Sequence, residues 1–251
     1  MTATVTDIYR HPVKSHGRER LDSVALTAGK TLPWDRAWAV VHDRAPSDVD
    51  GSEWVSCRNF ARAAIIPELM AISARLDEDA GTVTLSHPDH PDFTFNPDTE
   101  VDAFCDWVAV VVPRPMRKAD RIIRLEGRGL TDTAYPSVSI NNRGSLRALS
   151  SELGQELSPH RFRGNIWIDG LPAWREHELA GATIRIGSAV LRGVERIERC
   201  PATTSNPTTG QRDADTLGAL RRRWGHTDFG LHAEVIESGQ VQVGDHFEVL
   251  T

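Results

Sequence analysis

Cys200 stands in Glu195-Arg196-Ile197-Glu198-Arg199-Cys200-Pro201-Ala202-Thr203-Thr204, where an apolar alternation stops and a polar stretch begins. A thiol beside Arg199 and close in sequence to Arg196 is expected to titrate below the roughly 8.5 of free cysteine, which enriches the nucleophilic and metal-binding thiolate. Downstream, Asn206-Pro207-Thr208-Thr209-Gly210 signals a turn that folds the chain back over the cysteine. Two readings stay open on these residues alone: a reactive thiol beside a polar loop, or a small buried apolar side chain, the common fate of a free cysteine. Cys57 and Cys105 are read as packing residues, because Cys105 belongs to an apolar helical pattern and neither has a comparable loop.

Three basic sites precede Cys200: Lys14-Ser15, Arg36, and Arg161-Phe162-Arg163-Gly164-Asn165. Arginine offers a planar donor fork suited to phosphate or to a pterin edge, and lysine offers a point charge for phosphate. Taken singly, each is better explained as a solvated residue or the partner of a carboxylate. Arg221-Arg222-Arg223 reads as a solvated helix end that complements the helix dipole, with an anion-docking patch as the alternative. No zinc set with short spacing occurs, since His87 and His90 flank prolines and His226 and His232 have no nearby cysteine. Glycine-rich phosphate loops and a G-x-S-x-G elbow are also missing.

These side chains need a scaffold, and strand signals dominate. Val5, Ile8 and Val13, then Val24, Leu26 and Leu32, then Trp38, Val40 and Val41 alternate as in strands, divided by turn signals at His16-Gly17 and Ala28-Gly29. Asp43 to Glu53 is acidic and small, which predicts an exposed loop. Leu69-Ile72 and Val83-Leu85 flank a turn-rich segment and predict a hairpin over 68–86, followed by a short helix from about Glu100 to Val110. Further on, strands are predicted near Ser137-Ile140, Asn165-Asp169, Thr183-Ile186, Ala189-Ile197, Leu231-Ile236 and His246-Leu250. Helices are predicted near Arg143-Leu153 and Asp215-Trp224. Short strands with Gly, Pro and Asn punctuation imply an α+β, mainly β fold: a curved or barrel-like sheet with a few covering helices.

The chain has 251 residues, 39% of them hydrophobic, and a net charge of -6, which suits a globular protein and opposes binding to nucleic acid or anionic membrane. The N-terminus lacks a basic segment followed by an apolar one and does not read as a secretion signal. No run approaches the ~18 apolar residues of a membrane span, so the expected location is cytoplasmic. Three cysteines with no C-x-x-C pair make a disulfide framework unlikely and exclude an internal four-cysteine iron–sulfur cluster. Electrons, if the protein moves them, come from a partner.

Taken in order, His11-Pro12-Val13-Lys14-Ser15, Asp35-Arg36-Ala37-Trp38, Arg161-Phe162-Arg163-Gly164-Asn165-Ile166, Ile186-Gly187-Ser188-Ala189-Val190-Leu191 and Arg199-Cys200-Pro201 resemble the MOSC family with its N-terminal MOSC-type β-barrel domain. That family includes the mitochondrial amidoxime-reducing component and its bacterial relatives. The similarity continues through Asn206-Pro207-Thr208-Thr209-Gly210, Phe229-Gly230 and Val243-Gly244-Asp245, over nearly the whole chain. It implies a MOSC-type β-barrel with covering helices over 116–251 and a smaller N-terminal barrel region over 1–115, whose first strands pack with the second half.

The resemblance also implies a molybdenum cofactor, a molybdopterin of unspecified nucleotide form. Cys200 would ligate molybdenum or hold a persulfide, and Lys14, Ser15, Arg36, Arg163 and Asn165 would bind the pterin and its phosphate. Ser145, and Arg199 by charge tuning or cofactor contact, complete the implied set. A soft thiolate for the metal and cationic donors for a phosphate are the types such a ligand needs. The implied activity is reduction of an N-hydroxylated or other N- or S-oxygenated small molecule, with electrons from a ferredoxin- or flavoprotein-type donor. A sulfur carrier using a Cys200 persulfide, and a non-catalytic cofactor-delivery module, are the alternatives. The chain departs from the family pattern at His11 (usually tyrosine), Gly164 (usually proline) and Asn206 (usually aspartate), and it ends without a ferredoxin-like extension.

Overall fold

The computed structural model describes residues 3–112 and 116–250. The chain opens with β1 (Ala3–Arg10), β2 (Glu19–Leu21), β3 (Ser23–Leu26) and β4 (Trp38–His42). A 3₁₀ turn at Pro67–Ala71 precedes β5 (Ser73–Asp77), β6 (Thr82–His87) and β7 (His90–Phe95). Next come α1 (Val101–Val111), β8 (Ala119–Arg124), β9 (Val138–Asn142), α2 (Arg143–Leu153), β10 (Ile166–Asp169), β11 (Thr183–Ile186) and β12 (Ala189–Glu198). The chain closes with α3 (Thr216–Trp224), β13 (Asp228–Glu237), β14 (Gly239–Gln242) and β15 (His246–Leu250).

Seven strands close a barrel in the order β10-β9-β13-β12-β11-β15-β1, with β1 pairing back onto β10. Only β9 and β10 run parallel, which is why α2 is needed to carry the chain from one to the other. Inward alternation is plain in β11, where Ile184 and Ile186 are fully buried between exposed or half-buried neighbours. With Val5, Ile8, Ile140, Ile166, Ile168, Leu191 and Leu231 they fill the barrel. Closure removes the unpaired edges that an open sheet of this size would expose.

A second body is built from the β4–β8 pair, the β5-β6-β7 meander and α1, around Trp38, Leu69, Met70, Phe95 and Phe104. The expected boundary after residue 115 falls at 113–115, outside the described residues. Chain connectivity runs across it: β1 belongs to the barrel of the second half, and β4 pairs with β8. The mainly β architecture with covering helices is the one the residues imply.

Two local expectations need correction. Leu69–Ile72 is not the first strand of a hairpin, because Pro67 opens a 3₁₀ turn that buries Leu69 and Met70, and the strand starts at Ser73. The meander also has a third strand, β7, whose His-Pro-Asp start hides the alternation that seats Phe95 in the core. The later helices fall where predicted because their ends are encoded locally. Asn142 caps α2 by accepting from Gly144 N at 2.8 Å, and Gly154 closes it at φ 66°. Asp215 and Gly225 do the same for α3, whose Arg221-Arg222-Arg223 run is exposed as expected.

Candidate functional site

At one end of the barrel lies a cavity of about 260 Å³ to which Lys14, Ser15, Arg36, Arg163, Asn165, Arg199 and Cys200 all contribute. Backbone contacts from distant segments build it. Lys14 N donates to Trp38 O at 2.8 Å and Arg36 N to His11 O at 2.7 Å, so the loop after β1 and the loop before β4 are laced together. Tyr9 N donates to Asn165 O at 2.7 Å, which hangs the Arg161–Asn165 segment beside them. Cys200 follows the last residues of β12, and Arg199 N donates to Thr227 O at 3.0 Å.

Five non-glycine residues have positive φ among the described residues, and three of them, Ser15 (65°), Arg36 (51°) and Arg163 (48°), line this cavity. Left-handed backbone costs an L-residue about 1–2 kcal/mol, and such strain concentrates where groups are held for a ligand.

Six cationic side chains, Lys14, Arg36, Arg62, Arg161, Arg163 and Arg199, face the cavity against two carboxylates, Asp132 and Glu198. Several cations are already paired. Lys14 Nζ donates to Leu130 O at 2.7 Å and to Asp132 Oδ1 at 2.6 Å. The lysine charge holds the Asp132 carboxyl well below the usual range, against the opposing effect of burial. Arg36 bonds Asp35 through Nη1 and donates to Arg163 O at 2.8 Å through Nη2. Asp35, fully buried, would be pushed up by burial; Arg36 and the bonds from His11 outweigh that and keep it ionised. His11 is held neutral by burial, reinforced by Arg163 and Arg36.

Other donors have no acceptor. Arg161 is 4% exposed and gives Nη2 to Asp213 at 2.6 Å, while its Nε and Nη1 are buried and unpartnered among the described residues. The same is true of Arg163 Nη2, Arg62 Nε and His232 Nδ1. Burial, with Arg36 and Arg18 nearby, pulls the Arg163 guanidinium down to about 9. Burying a cation without an acceptor is costly. An anion in the cavity would relieve it.

Arg199 is a clamp. Its Nε, Nη1 and Nη2 donate to Phe229 O, Phe162 O and Asn141 Oδ1 at 2.8, 2.7 and 2.9 Å, and the guanidinium lies near the faces of both phenylalanine rings. Burial lowers it to about 10. The expected depression of the Cys200 thiol is not found. The residue is accessible from solvent, yet its sulfur is closely surrounded by protein. Burial pushes the thiol up, and the Ala202 N–H and Arg199 offset this only in part. Arg199 is too committed to backbone carbonyls to dominate.

Asn165 also turns inward. Its Oδ1 accepts from Ser139 N and Oγ at 3.1 and 3.0 Å, and its Nδ2 donates to Tyr9 O at 3.2 Å, tying β9 to β1. Ser145 does not reach the cavity. It sits on α2, beyond the Asn142 end of β9, whereas Ser139 near the other end lines the cavity, roughly 10 Å of strand away. Its hydroxyl donates to Glu176 Oε1 at 2.6 Å and accepts from Trp174 N at 2.8 Å. The structure thus gives Ser145 a structural contact and does not bring it to the cavity with the other expected residues. Asp132 and Arg62 line the cavity without having been singled out, because no local pattern marks them; Cys57, expected to be a packing residue, and His232, set aside as a zinc ligand, line it as well.

Gly164 supplies a test of this packing. A Cβ there would lie 1.9 Å from Asn141 Nδ2, and Asn141 is the fully buried acceptor for Arg199. A proline side chain would meet the same atom. Gly164→Ala is expected to cost about 1–3 kcal/mol of stability by overpacking, read as a lower urea midpoint; an unchanged midpoint would contradict the contact.

Buried and half-buried histidines set a pH response. His16, His160, His177 and His232 are each lowered to about 4, chiefly by burial. The unfolded chain binds protons at these sites from about pH 6.5 downward and the folded chain only near 4. Stability therefore falls as pH drops through that window. Urea unfolding at steps from pH 7 to 4.5 should show a loss on the order of a few kcal/mol, and a flat profile would rule it out.

The fold and cavity together define a β-barrel protein with a thiol among the lining residues of a cation-rich cavity. Residues 2–108 match the MOSC N-terminal beta barrel domain and residues 133–248 the MOSC domain. The chain belongs to the MOSC-domain family that carries this N-terminal domain. It is 26% identical over 269 residues to a molybdenum cofactor sulfurase of Drosophila grimshawi, an alignment spanning 96% of this chain and 34% of that protein. A second, from Drosophila mojavensis, is 33% identical over 99 residues, 39% of this chain and 12% of that protein. The chain thus spans about a third or less of the length of these relatives. Among solved structures, the YuaD protein of Bacillus subtilis has a TM-score of 0.47 at 15% identity, covering 99% of this chain and 96% of that one. YiiM of Geobacillus stearothermophilus has a TM-score of 0.35 at 13% identity, covering 45% of this chain and 54% of that one.

Proposed function

We propose that this cavity binds a molybdenum–pterin cofactor and that the protein is an oxidoreductase using it. The observation that carries this reading is the set of buried guanidinium donors, Arg161 Nε and Nη1 with Arg163 Nη2, left without acceptors among the described residues beside an accessible cysteine. A phosphate fits those donors, and a soft thiolate suits molybdenum better than a carboxylate would. Lys14, Ser15, Arg36, Arg161 and Arg163 would hold the pterin and its phosphate, and Cys200 the metal. Bound there, the metal would supply the redox chemistry.

The chain's own residues do the rest. Arg199 fixes the backbone around Cys200 through three acceptors, and Asp35 fixes the direction of Arg36. Asn165 holds the strand ends together. His232, whose Nδ1 on the cavity wall is unpartnered among the described residues, is held neutral by burial and can hydrogen-bond a bound ligand. The substrate would be an N-hydroxylated or other N- or S-oxygenated small molecule. Its electrons would come from a ferredoxin- or flavoprotein-type partner, because three cysteines cannot make a four-thiolate cluster.

Sulfur transfer is the second reading, with Cys200 as persulfide carrier; the name shared by the Drosophila relatives favours it. Metal analysis of the chain purified from a cofactor-competent host tests the first. Near-stoichiometric molybdenum, with turnover of an amidoxime by a reduced donor protein, is expected. A well-folded chain without molybdenum overturns it, and cyanide-releasable sulfur in that same metal-free chain selects sulfur transfer.

A further inference from the structure

Cys57 faces the same cavity as Cys200, although 143 positions separate them in the chain. Each sits on a short turn and not in a strand: Cys57 opens the 3₁₀ turn Cys57–Asn59, and Cys200 precedes the turn Pro201–Thr204. The two segments are fastened together. Arg212 donates to Pro201 O and to Ala64 O, both at 2.7 Å, and Ala202 packs in one cluster with Ala61 and Ala63. Arg62 Nη1 donates to Cys57 Sγ at 3.4 Å, which holds that sulfur in place. Cys105 stands apart on α1, its thiol directed toward Asp120 O.

We infer that Cys57 is a resolving thiol for Cys200: on oxidation by a peroxide, the two cysteines close a reversible disulfide across the cavity. The accessible Cys200 meets the oxidant first. Its thiolate attacks a peroxide oxygen, the O–O bond breaks, and Cys200 becomes a sulfenic acid as the first water leaves. Cys57 sulfur then attacks the sulfenic sulfur, the S–S bond forms, and the sulfenic oxygen departs with the Cys57 proton as the second water. Two thiols and one peroxide give one disulfide and two waters. A dithiol reverses the step by exchange. Neither cysteine lies in a strand, and the bond would withdraw Cys200 from any metal or sulfur chemistry while protecting it from irreversible oxidation. This inference needs only the two thiols and does not depend on the cofactor reading.

The full chain, reduced and then exposed to a small excess of hydrogen peroxide, is alkylated and mapped as peptides without reduction. The expected map joins the Cys57 peptide to the Cys200 peptide, leaves Cys105 alkylated, and returns to three alkylated cysteines after dithiothreitol. In Cys57→Ser the same dose carries Cys200 to sulfinic acid. Recovery of Cys57 as the free alkylated residue beside an oxidised Cys200 in folded wild type overturns the inference, and so does a Cys57–Cys105 link. The wild-type map decides the matter even if the variant does not fold. A chain that forms the cross-link yet never carries molybdenum sinks the cofactor reading alone.

Discussion

Replacing Cys200 by alanine is expected to strip molybdenum from the purified chain while leaving the fold intact. Cys200 is exposed, and what its side chain receives from the protein is the Ala202 N–H, so its removal takes little from the core. Its raised thiol is the reason the effect should be large. Burial works against a bare thiolate there, and a soft cation bound to the sulfur would offset that cost. Metal content measured beside the urea midpoint should show molybdenum falling at least about tenfold, the loss seen when even an outer partner of a metal site is removed. The midpoint should stay close to wild type. Retention of molybdenum in a folded Cys200→Ala chain would mean that the thiol is not the ligand.

Arg163→Met should move stability and anion binding in opposite directions. Methionine keeps the unbranched shape but removes a cation whose Nη2 has no acceptor among the described residues and which lies beside Arg36 and Arg18. Exchanging a poorly compensated buried charge for an apolar side chain commonly gains about 1–4 kcal/mol, so the cofactor-free variant should unfold at higher urea than wild type. Arg163 O, which accepts from Arg36, belongs to the backbone and survives the change. Binding should suffer, because a buried charge contact to an anion is worth about 2–5 kcal/mol when truncated. That corresponds to at least about tenfold weaker binding of inorganic pyrophosphate in titration calorimetry, with less pterin co-purifying. A variant that is less stable without ligand, or that binds pyrophosphate as wild type does, would show that Arg163 is a structural cation.

Much of the site could be named before the fold was known. Lys14, Arg36, Arg163 and Cys200 carry types that suit an anion and a soft metal, and all four line one cavity. Asn165 lines it too, but spends its amide on Ser139 and Tyr9. Ser145 lies away from the cavity, its hydroxyl taken up by Glu176, a partner 31 residues on that its own neighbours do not reveal. Asp132, Arg62, His232 and Cys57 were illegible for a common reason. Each is one polar residue in a stretch whose neighbours say nothing about which way it faces. Cys57 in particular looks like a packing cysteine until the Ala61–Ala64 segment is seen docked against Pro201 and Ala202.

The sequence by itself determined the features that depend on near neighbours. Asn142 with Gly154 and Asp215 with Gly225 set the ends of α2 and α3, apolar alternation set the strands, and the order of basic residues and cysteine set the family. Only the tertiary structure decided how these meet. Tyr9 and Asn165, 156 residues apart, are joined by the closure of β1 onto β10, and that closure places Lys14, Arg36 and Arg163 around one space. It also raised the Cys200 thiol where its arginine neighbour alone would have lowered it. Local pattern fixes backbone preference over a few residues, whereas desolvation and the pairing of charges depend on every segment packed against a site.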